Sequence, residues 1–326
     1  MKIAYLIRNR PDLADKVPAD VEPLWIQAGE DGVYADADLA KLGEVDAFVI
    51  GMEPVHAQIL AAAPNLKIVQ RLGVGYETLN LKDCAAHGVP ACNIEGVNKE
   101  AVAEHAMMFM LSLSKKLLEA NAATQAADWL AARRLTPQTF ELKDKTLGII
   151  GFGNTGSQLA LRARAFEMNV LYNDPLDVND ALAASIGARK LDKAALLAQS
   201  DFVSICTDLN DTSRGMIDAQ ALARMQPHAM FICCARGGIV DEPALAQALK
   251  SGQIAAAAID VFESEPLKPD NPLIGLDNCL LTAHVAGVAS DTTERIWQWA
   301  HDNVRAVVQR QENARWVRNS DLLSQK

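Results

Sequence analysis

Leu147-Gly148-Ile149-Ile150-Gly151-Phe152-Gly153-Asn154-Thr155-Gly156 runs from an apolar, β-type segment straight into Gly-x-Gly-x-x-Gly, and a helix-like segment follows. Asp174 closes the next apolar run, 18 residues beyond Gly156. A strand, a glycine turn and a helix N-terminus, with an acidic residue past the second strand, form the layout that cradles a dinucleotide. In that reading Gly151 makes the tight turn and Gly153 lets the backbone approach a pyrophosphate. The N–H groups at Asn154 and Thr155 point at the anion with the helix dipole behind them, and Gly156 lets the helix pack on the sheet. Asp174 accepts from both hydroxyls of an adenosine ribose and repels a 2′-phosphate. No Arg or Lys follows it closely, so NAD is favoured over NADP. The plainer alternative for Asp174 is a turn residue before Pro175.

Working outward, the pattern repeats. Strands are expected at 146–150, 169–173, 201–206, 229–234, 255–260 and 279–282, with helical stretches such as 156–166, 193–197 and 242–251 between them. That series is what a full Rossmann sheet requires. On the N-terminal side, 2–6, 47–51 and 67–72 read as buried parallel strands, with helical spacing at 35–42 and 57–63. Residues 1 to about 98 therefore read as a smaller doubly wound unit. The stretch from 100 to about 123 reads as one long helix, with Val102, Met107, Met108, Met110, Leu111, Leu117 and Leu118 as core positions. His105 inside it reads more readily as a packing histidine than as a catalytic one. A helix at 291–311 and a polar tail to 326 close the chain.

The bulk numbers set limits. The chain has 326 residues, half of them apolar and 22% charged, which suits a globular protein of about two domains. A net charge of −10 repels phosphate backbones and argues against nucleic acid as a partner. No stretch is long and apolar enough to read as a membrane span, and Met1-Lys2-Ile3-Ala4-Tyr5-Leu6 reads as a strand rather than a signal peptide. The cysteines at 84, 92, 206, 233, 234 and 279 have no zinc spacing, so no metal is expected. They read as reduced thiols of a cytoplasmic protein, with the Cys233-Cys234 pair filling a strand.

Three polar residues each stand just beyond the end of an expected strand: Arg236 after 229–234, Glu265 after 255–260 and His284 after 279–282. Ligands bind at that edge of a doubly wound sheet. An arginine there can grip a carboxylate with two prongs, and a histidine beside a carboxylate can exchange protons near neutral pH. Singly, each has a plain alternative: a capping arginine, a solvated glutamate, a loop histidine.

The sequence resembles the D-isomer-specific 2-hydroxyacid dehydrogenase family over nearly its whole length. The resemblance is carried by Arg71-Leu72-Gly73-Val74-Gly75-Tyr76-Glu77, Ala101-Val102-Ala103-Glu104-His105-Ala106 and the glycine turn. It continues in Ala235-Arg236-Gly237-Gly238-Ile239-Val240-Asp241-Glu242, Asp260-Val261-Phe262-Glu263-Ser264-Glu265-Pro266 and Thr282-Ala283-His284. It implies an α/β fold: a Rossmann NAD-binding domain, 99–291, inserted into a flavodoxin-like substrate domain of 1–98 and 292–326. It implies NAD-dependent interconversion of a 2-keto acid and a D-2-hydroxy acid. His284 is then the general acid/base, Glu265 its partner, and Arg236 the carboxylate-binding and carbonyl-polarising group. Backbone N–H groups of Val74 and Gly75 hold the carboxylate's other side. Asp260 anchors the nicotinamide carboxamide, and Thr207, Cys234 and Ala235 line the cofactor groove with His284. A homodimer built through the nucleotide domain is also implied.

Some positions depart from the family pattern: Cys233 for a common Asn, Asp208 and Ala283 for common prolines, and Glu77-Thr78 for a common Asp-Asn. None removes a group the chemistry needs. A phosphorylated substrate wants several cations. Arg71 and Arg133-Arg134 are the sources on offer, the latter pair equally a solvated helix end. The loop Gly51-Met52-Glu53-Pro54 supplies Met and Glu instead. No appended regulatory domain is expected either, which leaves an unphosphorylated 2-keto acid such as glyoxylate or hydroxypyruvate. The alternatives are a D-3-phosphoglycerate dehydrogenase and a non-catalytic NADH-sensing scaffold of the corepressor type.

Overall fold

The computed structural model describes residues 1–7, 11–29, 31–76, 78–176 and 180–324; Glu77 and the last two residues of the expected tail lie outside them. Two compact units make up the chain, Met1–Val97 with Ser290–Lys326, and Asn98–Ala289.

The first unit carries β1 (Lys2–Leu6), β2 (Glu22–Ile26), β3 (Ala47–Ile50), β4 (Ile68–Arg71) and β5 (Ala91–Cys92). They form a parallel sheet in the order β2-β1-β3-β4-β5, the doubly wound flavodoxin-like order. Alternate residues of one strand feed opposite cores. Ala4, Leu6, Phe48 and Ile50 join one apolar cluster, while Ile3, Tyr5, Ala47 and Val49 join another with Trp297 and Val304 of the Ser290–Val308 helix. Burial on both faces is why these strands read as continuous apolar runs.

The second unit carries β6 (Thr146–Ile150), β7 (Asn169–Asn173), β8 (Arg189–Lys190), β9 (Phe202–Ile205), β10 (Met230–Cys233), β11 (Ala256–Ile259) and β12 (Cys279–Leu281). Their parallel order, β12-β11-β10-β9-β6-β7-β8, reverses beside β6, so the end of β6 is the switch point where an α/β sheet opens a crevice.

Four features differ from the sequence reading. β2, β5 and β8 were not expected. β2 is an edge strand that exposes Glu22, Pro23 and Trp25, and β5 and β8 are two residues each, too short for a period. The helix expected over 100–123 is two helices, Lys99–Lys115 and Leu117–Gln125, split at Lys116 in the left-handed conformation (φ 52°, ψ 43°). Three expected core residues are about half exposed: Leu117 and Leu118 just after the break, and Met108 on the outer face of the first helix. The expected polar tail is instead stitched down, because buried Asn319 accepts from the Ala91 N–H and donates to the Val89 carbonyl.

Lys116 has no glycine to absorb its positive φ, and a left-handed L-residue costs about 1–2 kcal/mol. Lys116→Gly should therefore raise the urea midpoint of the second unit, by about 0.5–1 kcal/mol once glycine's chain entropy is counted. An unchanged or lower midpoint would contradict this.

Candidate active site

The glycine turn is built by close approach. Gly151 has φ 94°, and a Cβ there would stand 2.7 Å from the Cys206 carbonyl carbon and the Thr207 nitrogen at the end of β9. A Cβ on Gly156 would lie 2.0 Å from the Gly151 oxygen, so the Asn154–Ala165 helix can start here only with glycine facing the turn. At Gly153 the opposite holds: nothing lies within 4 Å of its would-be Cβ. Gly153 also caps the helix without a side chain, which leaves the first-turn N–H groups of Asn154 and Thr155 turned toward any anion that enters. Asp174 closes the frame. One carboxylate oxygen accepts from the Phe152 N–H (2.8 Å) and the other from the Leu176 N–H (2.9 Å). It is thus a turn residue, and its half-buried carboxylate keeps further lone pairs for a ribose.

The other expected residues stand on the same edge of the sheet. Thr207 follows β9. Cys234, Ala235 and Arg236 follow β10. Arg236 Nη1 donates to the Ala235 carbonyl at 2.8 Å. Gly237 presses this loop against the next, because a Cβ on it would fall 1.8 Å from the Phe262 carbonyl oxygen. Glu265 lies beyond that contact. Its Oε1 accepts from the Phe262 N–H (3.0 Å) and its Oε2 lies 2.7 Å from His284 Nδ1. Facing a carboxylate, Nδ1 carries the proton, so Nε2 is the nitrogen that gains or loses one. The His284 side chain is 45% exposed. Its backbone is left-handed (φ 55°), held by its N–H donating 2.7 Å to the Asp260 carbonyl.

Asp260 directly follows β11. The residue is fully buried, and its carboxylate accepts from the Thr282 hydroxyl (2.5 Å) and the N–H groups of Val285 and Ala286 (2.9 Å each). These three bonds hold the loop that carries His284. His105, read as packing, lies 3.1 Å by Nε2 from Thr282 Oγ1. Its sequence signal is weak: a polar residue in register with Val102 and Phe109 on an otherwise apolar helix face. Burial pushes the Cys206 thiol up to about 12 and the Cys233 thiol up to about 11. Among the described residues no cluster of His, Cys, Asp and Glu could hold a metal.

In the first unit, the loop after β4 has its carbonyls tied. Ile94 N–H donates to Gly73 O, and Asn93 Nδ2 to Val74 O. Arg71 donates from Nη1 to the Leu72 carbonyl and from Nη2 to the Met52 sulfur. Glu53 is 7% exposed, and among the described residues its Oε2 has no hydrogen-bond partner.

Residues 107–286 match the family model for the D-isomer specific 2-hydroxyacid dehydrogenase, NAD binding domain. The chain belongs to this family. A D-3-phosphoglycerate dehydrogenase from Archaeoglobus fulgidus is 37% identical over 256 residues, 78% of this chain and 48% of the relative. A glyoxylate reductase from Korarchaeum cryptofilum is 33% identical over 270 residues, 82% of this chain and 81% of the relative. The chain thus spans about half the length of the first relative and most of the second. Holo D-mandelate dehydrogenase from Rhodotorula graminis has the same fold, with a TM-score of 0.85 at 22% identity over 97% of this chain and 96% of that one.

The cofactor of this dehydrogenase family is NAD, and the second unit fits it: an open cradle at Gly153, an uncapped helix N-terminus and an acid at the end of β7. Asp174→Asn keeps the size and one acceptor but removes the charge. NADH binding, followed by fluorescence titration, should weaken about tenfold, or about 1.4 kcal/mol, and discrimination against NADPH should narrow. An unchanged NADH affinity would refute the ribose role.

Proposed function

We propose that the chain reduces a small, unphosphorylated 2-keto acid to its D-2-hydroxy acid, and runs the reverse reaction, with NAD as cofactor. The observation that carries this reading is the 2.7 Å contact of His284 Nδ1 with Glu265 at the sheet's C-terminal edge, in the unit that holds the glycine cradle. Bound in that cradle, NAD supplies or accepts the hydride. The side chains do the rest. During reduction, negative charge develops on the former carbonyl oxygen, and His284 Nε2–H donates a proton to it. Glu265 keeps Nδ1 protonated and stabilises the imidazolium. In oxidation, neutral Nε2 takes the hydroxyl proton. Arg236 grips the substrate carboxylate and polarises the carbonyl. The Val74 and Gly75 N–H groups take its remaining oxygen, a role that suits a loop whose own carbonyls are already engaged.

Charge among the described residues supports this substrate class. Arg71 is tied to backbone carbonyls and a thioether, Arg133 and Arg134 lie exposed at a helix end, and Glu53 places a buried carboxylate in the loop after β3. That arrangement repels a phosphate dianion. The glyoxylate reductase relative accords with it. The phosphoglycerate dehydrogenase relative makes the phosphorylated acid the necessary comparison.

Two further assignments belong here. Among the described residues no helix is long and apolar enough to cross a membrane, and six free cysteines suit a reducing compartment, the cytoplasm. On the second unit Met108, Leu117, Leu118, Trp129, Leu130 and Phe166 are exposed apolar residues, and we assign them to a homodimer contact. Replacing Trp129 and Leu130 with Asp should shift the sedimenting species from dimer to monomer; a wild-type chain that already sediments as a monomer would rule the contact out.

The enzymatic test is loss of NADH absorbance against glyoxylate, hydroxypyruvate and 3-phosphohydroxypyruvate. Turnover of the first two should exceed that of the third. Preference for the phosphorylated acid would make this a phosphoglycerate dehydrogenase, and NADH binding without turnover of any 2-keto acid would make it a sensing scaffold. His284→Ala should lower kcat by about 10²–10⁴-fold while leaving NADH binding intact. A variant with most of its activity would refute the assignment.

A further inference from the structure

Of the two histidines of the second unit that the chemistry above leaves unused, His228 is exposed and bonds Asp201, while His105 is enclosed near the site. His105 lies in the Lys99–Lys115 helix, edge-on to Phe109 with ring centroids 4.5 Å apart, and its side chain is 13% exposed. Its Nε2 is 3.1 Å from Thr282 Oγ1, which is 2.5 Å from Asp260 Oδ1. A threonine hydroxyl has one proton, and facing a carboxylate that proton goes to Asp260. Thr282 Oγ1 must then accept from His105, which fixes the His105 proton on Nε2. The chain of bonds has one direction, from imidazole to hydroxyl to carboxylate.

Every later link ends on a residue flanking His284. Asp260 accepts from the N–H groups of Val285 and Ala286, and its carbonyl takes the His284 N–H. His284 has φ 55°, a backbone state that persists only where its surroundings impose it. The start of the same helix touches the far side of this loop, since a Cβ on Gly287 would stand 2.3 Å from Asn98 Nδ2 and 3.5 Å from Val102. Burial holds the His105 pKa below its ordinary value, against the opposing pull of Asp260, so the ring is a neutral donor.

We propose that His105 is a positioning residue: by donating through Thr282 to Asp260 it fixes the 282–286 segment, and with it the aim of His284. This rests on the reading of His284 as the general acid/base. A histidine kept only for packing on an apolar helix has no need of a donor directed at Thr282, and that difference is measurable.

The test compares His105→Leu with His105→Gln, whose amide can carry an N–H near the position of Nε2, each with and without His284→Ala. His105→Leu should lower kcat about tenfold or more, as small misplacements of catalytic groups do, with KM and the NADH dissociation constant changed less than about twofold. His105→Gln should recover most of the loss. In the His284→Ala background, His105→Leu should cost nothing further. Three results would overturn the proposal: full kcat in His105→Leu, equal losses in the Gln and Leu variants, or the same loss with and without His284. Full activity in His284→Ala alone is a different result, and it removes the acid/base reading itself.

Discussion

The second unit depends on a carboxylate with no access to water. Asp260 is fully buried and accepts one hydroxyl and two backbone N–H groups. Burying such a charge alone would cost several kcal/mol. Bonds to a charged acceptor return about 1.5–3 kcal/mol each, so three together offset the cost, and removing any one strands the charge. The 282–286 segment therefore cannot slide or relax without a large penalty. That is why His284 can hold a left-handed backbone that the segment would otherwise avoid. The neighbouring strand ends are bound into the same frame: Gly237 lies on the Phe262 carbonyl, and the Phe262 N–H holds Glu265. Three loops, after β10, β11 and β12, thus brace one another.

Asp174 and Asp260 illustrate how one residue type takes two tasks on one edge. Both follow a strand and both accept backbone N–H groups from a loop. Asp174 keeps solvent access and lone pairs, so it can hold its turn and still meet a ligand. Asp260 is enclosed, and its carboxylate is taken up by Thr282, Val285 and Ala286 of the loop that carries His284.

What could be read from the sequence was what repeats or punctuates. Strands buried on both faces, such as β3 and β10, appear as unbroken apolar runs, and the glycine turn appears because only glycine survives contacts near 2 Å. Glu265 and His284, 19 residues apart, were legible as a pair only because each stands past a strand end. Edge strand β2 has no such signature, since its outward residues need not be apolar. The break at Lys116 carries no glycine or proline; tertiary packing overrides a helical pattern that continues through Leu117. His105 was hidden for a related reason. Its partner Thr282 is 177 residues away, and no local period encodes that meeting.

The first unit builds its ligand edge in another way, and this bears on substrate choice. Buried Gln70 donates to the Arg71 and Asn93 carbonyls and accepts from Asn303, which in turn bonds both ways with Arg315. Asn93 continues the network to the Val74 carbonyl, and Arg318 donates to Asn93. The loop after β4 is thus fixed through its carbonyl groups, which directs what it can offer a ligand toward N–H groups. Backbone N–H groups suit a single carboxylate; neutralising a dianion requires fixed cations. Arg71 is engaged by carbonyls and Met52, Arg318 bonds Asn93, and the loop after β3 carries the buried acid Glu53. The Glu53 carboxylate lies over Gly51, where a Cβ would stand 2.7 Å from its Oε2. The proposed reaction needs from this loop only the N–H groups that a single carboxylate can take.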